Sequence, residues 1–209
     1  MKVWKPLEGF TPRDNKQDLP CWFFEGVDIP NYDYDTLDWN SIQGEILANE
    51  DVYAKREVAR YHLNKDNIIF KELKEVVRNI IVDLRDNHPI RGLEFSWPID
   101  AWNDNVINVP NSEHLEIDLK RDNEGFNMGQ HYDNRNTKWT MIMNLRDNKE
   151  STRFNIGEAL NTGNNEMVYG PKTKGSGLFY FNHRELLHSI GPITENGRLT
   201  LFYMNMVTK

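Results

Sequence analysis

The chain offers six histidines, and one of them sits in a pattern that can do chemistry. His131 is followed by Tyr132 and Asp133. In an extended segment residues i and i+2 point to the same side, so His131 and Asp133 aim an imidazole and a carboxylate at one point. A second imidazole from elsewhere completes a set of two neutral nitrogens and one anionic oxygen. On one face of an octahedron that set suits Fe(II) and leaves three positions open. His188 is the natural third ligand, within Leu187-His188-Ser189-Ile190-Gly191-Pro192 after an apolar run. His62, His88 and His114 have no such company and read as structural.

Ten residues past His188 stands Arg198, at the head of an alternating segment. Arg198, Thr200, Phe202, Met204 and Met206 share one face by the period of two. Arg198 is then a cation on an otherwise apolar face, and a buried Arg needs an anionic partner. A dicarboxylate ligand supplies one, gripped by two parallel hydrogen bonds, with the Thr200 hydroxyl adding a third.

These residues need a rigid support, and the rest of the sequence predicts one. Ile68, Ile69, Leu73, Val76, Val77, Ile80, Ile81 and Leu84 recur at helical spacing, which predicts a core-facing helix over 66–86, capped by Asp66 and ended before Pro89. A weaker pattern predicts helix over 41–62. After Pro89 the period changes. Short apolar runs at 92–97, 105–109, 115–119, 139–145, 153–159, 166–169, 177–181 and 199–207 alternate with Asn, Gly and Asp. They read as strands of a sandwich or barrel. Helices first and strands after make an α+β, mainly β fold: helices packed on one sheet of a double-stranded β-helix, the jelly roll. With no repeat or low-complexity linker, residues 1–209 form a single domain, 1–90 as N-terminal extension and supporting helices and 91–209 as the jelly roll.

Composition narrows the function classes. A net charge of −7 argues against nucleic acid as partner, since phosphates demand a basic footprint. Ten Phe, eight Tyr and six Trp exclude a disordered chain. The single cysteine, Cys21, rules out an internal disulfide and a Cys-rich zinc site. No apolar run is long enough to span a bilayer, and Met1–Pro6 lacks the apolar core of a signal peptide. A reducing cytoplasm is the expected compartment.

His131-x-Asp133, the distal His188, and Arg198-x-Thr200 ten residues further on together resemble the Fe(II)/2-oxoglutarate-dependent dioxygenases. The segments Lys138-Trp139-Thr140-Met141-Ile142-Met143-Asn144 and Lys174-Gly175-Ser176-Gly177-Leu178-Phe179-Tyr180-Phe181 resemble the prolyl-hydroxylase-like branch of that superfamily. The resemblance covers about residues 115–207. It implies that His131, Asp133 and His188 hold Fe(II), and that Arg198 and Thr200 bind the distal carboxylate of the cosubstrate 2-oxoglutarate. It further implies that Thr140, Ile142 and Asn144 line the cosubstrate pocket by alternation, with Phe154 and Ile190 as apolar walls. The activity implied is hydroxylation of a substrate C–H by O2, coupled to decarboxylation of 2-oxoglutarate to succinate and CO2. The substrate is a small molecule or a peptidyl group. His183 is set aside as a ligand because its distance to Arg198 is longer than the family pattern.

Two other readings compete. A cupin-like jelly-roll module holding a metal or ligand without catalysis would explain the strands and histidines, but not a cation ten residues past the distal His. A metal-dependent isomerase or hydrolase would bring extra Glu or His ligands on the H-x-D strand, where Gln130 and Tyr132 stand instead.

Overall fold

The computed structural model describes residues 3–6, 21–41, 55–87, 113–133, 137–155, 167–181, 187–194 and 197–207. Among these, twelve strands form two antiparallel sheets. The larger has eight strands. Its order is β1 (Val3–Pro6), β2 (Cys21–Glu25), β10 (Gly177–Phe181), β7 (Thr137–Asn144), β12 (Arg198–Val207), β5 (Glu113–Asp122), β4 (Arg56–Arg60) and β3 (Asn40–Ser41). The smaller runs β6 (Met128–His131), β11 (Leu187–Ile190), β8 (Arg153–Asn155) and β9 (Met167–Tyr169). A short helix α1 (Tyr61–Asn64) leads into the long helix α2 (Ile68–Asn87). Among the described residues no helix is long and apolar enough to cross a membrane.

The periodic segment forms α2 almost as its spacing predicts. Ile69, Phe70, Leu73, Val77, Ile80, Ile81 and Leu84 are buried, and Val76 packs against them. Each such side chain contributes roughly 1.5–3 kcal/mol by leaving water. Ile68, expected in the stripe, is 61% exposed instead, on the first turn. The cap is Asn67 rather than Asp66: its Oδ1 accepts from the Ile69 amide at 2.9 Å, one residue before the first helical position.

The helix packs on one face of the eight-stranded sheet. Alternate residues Ala59, Ile117, Leu119, Trp139, Met141, Met143, Phe179, Leu199, Leu201 and Tyr203 join its apolar face in one core. Trp139 touches Phe179 and Tyr203 edge-on or tilted, with centroids about 5 Å apart. It is a core residue. The other face of that sheet turns toward the smaller sheet, where Cys21, Ile142, Phe154, Leu178, Tyr180 and Phe202 form a second cluster.

The helix predicted over 41–62 is not formed at Ser41 or over Arg56–Arg60. Asn40–Ser41 and Arg56–Arg60 are strands, and helix begins only at Tyr61. Pairing decides this: β4 lies antiparallel to β5, from Arg56 opposite Asp122 to Arg60 opposite Asp118. Residues 42–54 lie outside the described residues, as do the strands expected at 92–97 and 105–109, Pro89, His88 and His183.

Candidate active site

The three candidate ligands converge. Atoms of His131, Asp133 and His188 lie within 4.8 Å of one another. Strand register explains how. β6 pairs with β11 so that His131 stands directly opposite His188, and β11 pairs with β8 so that His188 stands opposite Phe154. The two imidazoles are 4.3 Å apart between centroids. Asp133, two residues past His131, brings its Oδ1 to 3.5 Å from His188 Nε2.

Two of the three candidates, His131 and Asp133, are held in the form that a metal needs. His131 Nδ1 lies 2.9 Å from the Gly129 carbonyl. Only a protonated Nδ1 can make that bond, which leaves Nε2 as the atom that could ligate a metal. Burial, and then repulsion from His188, push the His131 pKa down, so the ring is neutral. Asp133 Oδ2 accepts from the Tyr180 hydroxyl at 2.8 Å and from Thr140 Oγ1 at 3.2 Å. Oδ1 is thereby left facing the histidines. Burial pushes the Asp133 carboxyl up, but His188, Tyr180 and Lys120 outweigh it and hold it at about 2. Burial, and then the charge of Asp133, push the Tyr180 phenol well above its usual range, so it remains a donor.

The other end of the inner face is basic and buried. Register places Arg198 opposite Asp122 on β5, and Asp122 opposite Arg56 on β4. Asp122 Oδ1 accepts from Arg56 Nε at 2.5 Å; Oδ2 accepts from Arg56 Nη2 at 3.0 Å and from Arg198 Nη1 at 3.2 Å. Arg198 Nη2 donates to Thr152 Oγ1 at 3.1 Å. The anionic partner that Arg198 requires is therefore supplied by the protein itself. Yet two guanidinium groups share one carboxylate, so the cluster keeps an excess positive charge. Burial pushes Asp122 up, but the two arginines outweigh it and hold the carboxyl below its usual range.

Two atoms at this end are orphaned. Arg198 Nε and Thr200 Oγ1 are buried and have no hydrogen-bond partner. Native structures leave few such groups unsatisfied. Orphaned donors beside an excess cation are what a bound carboxylate would satisfy. The donor set at the other end suits Fe(II). The residues present thus fit a metal ion at one end and a carboxylate at the other.

The remaining candidates divide. Ile142 is buried in the cluster between the sheets. Phe154 lies beside the ligands, its ring 5.9 Å from His188 and 5.6 Å from Tyr180 between centroids. Ile190 packs with Phe126 and Ile193, and Arg56 lies 4.1 Å over the Phe126 ring, so Ile190 walls the basic end. Thr140 spends its hydroxyl on Asp133. Asn144 donates to the Pro171 carbonyl and Ser176 Oγ and accepts from Asn148 Nδ2, so it ties loops together. Tyr132, between the two ligands, is 42% exposed.

Sequence reasoning missed Arg56, Lys120, Asp122, Thr152 and Tyr180. Only alternation along Glu113–Asp122, with Asp118, Lys120 and Asp122 opposite Ile117 and Leu119, hinted at a polar inner face.

No protein-family model and no curated protein matches the chain. Among solved structures it is similar to an oxidoreductase of the 2OG-Fe(II) oxygenase family from Burkholderia pseudomallei, at 12% identity over 82% of this chain and 73% of that chain, with a TM-score of 0.50. It is also similar to a Pseudomonas putida prolyl-4-hydroxylase, at 10% identity over 72% and 68% of the two chains, TM-score 0.49. A Trichoplax adhaerens prolyl hydroxylase in complex with a hypoxia inducible factor peptide fragment follows, at 13% identity over 78% and 70%, TM-score 0.48. At such identities the likeness is one of fold. The fold of this chain is similar to that of the Burkholderia pseudomallei 2OG-Fe(II) oxygenase family protein.

Proposed function

We propose that this chain is an Fe(II)- and 2-oxoglutarate-dependent oxygenase that hydroxylates an unidentified substrate and releases succinate and CO2. Its two sheets are read as a double-stranded β-helix, and residues 1–209 as one domain. One observation carries the reading. A His131–Asp133–His188 cluster within 4.8 Å shares an inner face with a buried, over-cationic end whose Arg198 Nε and Thr200 Oγ1 lack partners.

His131, Asp133 and His188 would hold the metal, which when bound supplies the activation of O2. The protein's own residues position and bind. Tyr180 and Thr140 fix Asp133 through Oδ2, so Oδ1 is the oxygen that would be offered to the metal. Arg198 and Thr200 grip the distal carboxylate of 2-oxoglutarate, with Asp122 and Thr152 orienting the guanidinium. Ile142, Phe154, Leu178 and Phe202 keep the space between the two ends apolar and exclude water. No side chain is required as a general base.

The test is succinate formation from 2-oxoglutarate with Fe(II) and O2 across amino-acid, peptidyl, sugar and lipid-precursor substrates. Stimulated release in wild type, abolished in His131→Ala and Asp133→Ala, is expected. Tight metal binding with no succinate from any substrate would favour the cupin-like module instead.

A further inference from the structure

Arg198 is shared between partners. One N–H of Nη1 goes to Asp122 and one of Nη2 to Thr152, and Nε is buried with no partner. A carboxylate has two oxygens with about four acceptor sites. The unpartnered Arg198 Nε and Thr200 hydroxyl would fill two of them, which leaves room for a further donor. Arg56 turns Nε and Nη2 toward Asp122.

Lys120 stands beside this gap. Register places it directly opposite Thr200 across β5 and β12, and side chains directly opposite share one face at about 5 Å between Cβ atoms. Its ammonium lies 3.6 Å from the centroid of the Phe202 ring, so the side chain leans over β12 toward the next inner-facing residue after Thr200. Unlike Arg56 and Arg198, it makes no ion pair or hydrogen bond among the described residues. Among the described residues its three N–H donors meet no hydrogen-bond acceptor. The charges acting on it come from Arg56 on β4, Asp118 and Asp122 on its own strand, and Asp133 beyond β6. Along β5 it is the next residue on that face after Asp122 of the basic end, opposite Thr200 where Asp122 is opposite Arg198.

Resting on the oxygenase reading above, we propose that Lys120 is a second cation on the distal carboxylate of the 2-oxo acid cosubstrate, shared with Arg198 and Thr200, and that it makes the pocket select 2-oxo acids with an anionic far end. Burial, and then Arg56, push the Lys120 pKa down to about 8, so the ammonium is charged at pH 7 and awaits an anion.

The test is calorimetric titration of the full chain loaded with Mn(II) at pH 7, without turnover. Two probes are compared: 2-oxoglutarate, and 2-oxopentanoate, which carries a methyl group in place of the distal carboxylate. In Lys120→Met, 2-oxoglutarate affinity falls by about tenfold or more, the range of a hydrogen bond to a charged group. Affinity for 2-oxopentanoate stays at its wild-type value, and Lys120→Arg recovers most of the loss. Mn(II) affinity and thermal midpoint, measured on each variant, report folding separately. Unchanged 2-oxoglutarate affinity in Lys120→Met, or an equal loss for both probes, overturns the role of Lys120 and leaves the oxygenase reading standing. A wild type that does not bind 2-oxoglutarate overturns both.

Discussion

Replacing Asp122 by Asn keeps the side chain's shape and removes its charge. Asp122 is fully buried, and its partners Arg56 and Arg198 are 3% and 1% exposed. The carboxylate accepts three charged hydrogen bonds, at 2.5, 3.0 and 3.2 Å. In Asp122→Asn one oxygen still accepts, but the amide nitrogen turns a donor toward a guanidinium donor. Removing one partner of a buried ion pair costs ~3–5 kcal/mol because the other charge is left uncompensated. Here two charges are left, so the upper end of that range applies. A loss of this size is a large part of a stability of about 5–15 kcal/mol. Urea unfolding at pH 7, followed by circular dichroism, reads it as a lower midpoint at unchanged slope. Added Arg56→Met recovers part of the loss, because it removes one of the stranded cations. A loss under about 1 kcal/mol, or no recovery in the double variant, would refute the claim that one buried carboxylate holds both guanidinium groups.

Tyr180→Phe removes the 2.8 Å donor to Asp133 Oδ2 and should weaken Mn(II) or Fe(II) binding by about 10–100-fold, with wild-type affinity as the contrary result. Arg198→Ala should reduce 2-oxoglutarate affinity by ~2–5 kcal/mol while metal affinity holds; calorimetry on the Mn(II)-loaded protein separates the two. Asp122 and Asp133 are both held below the usual carboxylate range, so the unfolded chain binds more protons between the two sets of values. Their stabilisation is full above about pH 4 and is lost as pH falls through the folded values, toward about 2 for Asp133. Acid titration of Asp122→Asn should show a shallower loss over that window. Gly175 has φ +73°, and an added Cβ would meet the Val27 carbonyl oxygen at 1.9 Å. Gly175→Ala should therefore destabilise the fold by roughly 2–4 kcal/mol in thermal unfolding.

The parts of the site legible in the sequence were those whose periodicity and chemistry agree. His131 and Asp133 two residues apart, His188 in a short strand, and Arg198 and Thr200 on one face of an alternating strand could be placed from residue types alone. What stayed hidden was polar and inward-facing. Along β5 the alternation of Ile117 and Leu119 with Asp118, Lys120 and Asp122 is the pattern of a strand with one wet face, and nothing local says that Asp122 is buried between two arginines. Arg56 was lost with the helix expected around it, because Arg-Glu-Val-Ala-Arg has no period of its own and only pairing with β5 makes it a strand. Tyr180 sits in an apolar run that reads as a strand, and nothing in that run says that its hydroxyl reaches Asp133. Thr140 and Asn144 illustrate the limit of parity. Alternation put both on the inner face, but hydrogen bonds assign one to Asp133 and the other to the loops around Pro171 and Ser176.

A metal held by His131, Asp133 and His188 and a carboxylate held by Arg198 are tested together by a single anaerobic titration. Adding 2-oxoglutarate to the Fe(II)-loaded protein should produce the visible charge-transfer absorption of a 2-oxo acid chelated to Fe(II), saturating with ligand. The band should be absent in Asp133→Ala, and Arg198→Ala should need far more ligand to reach it. No band in the wild type at saturating Fe(II) and 2-oxoglutarate, or an identical band in Asp133→Ala, would contradict the assignment of the site.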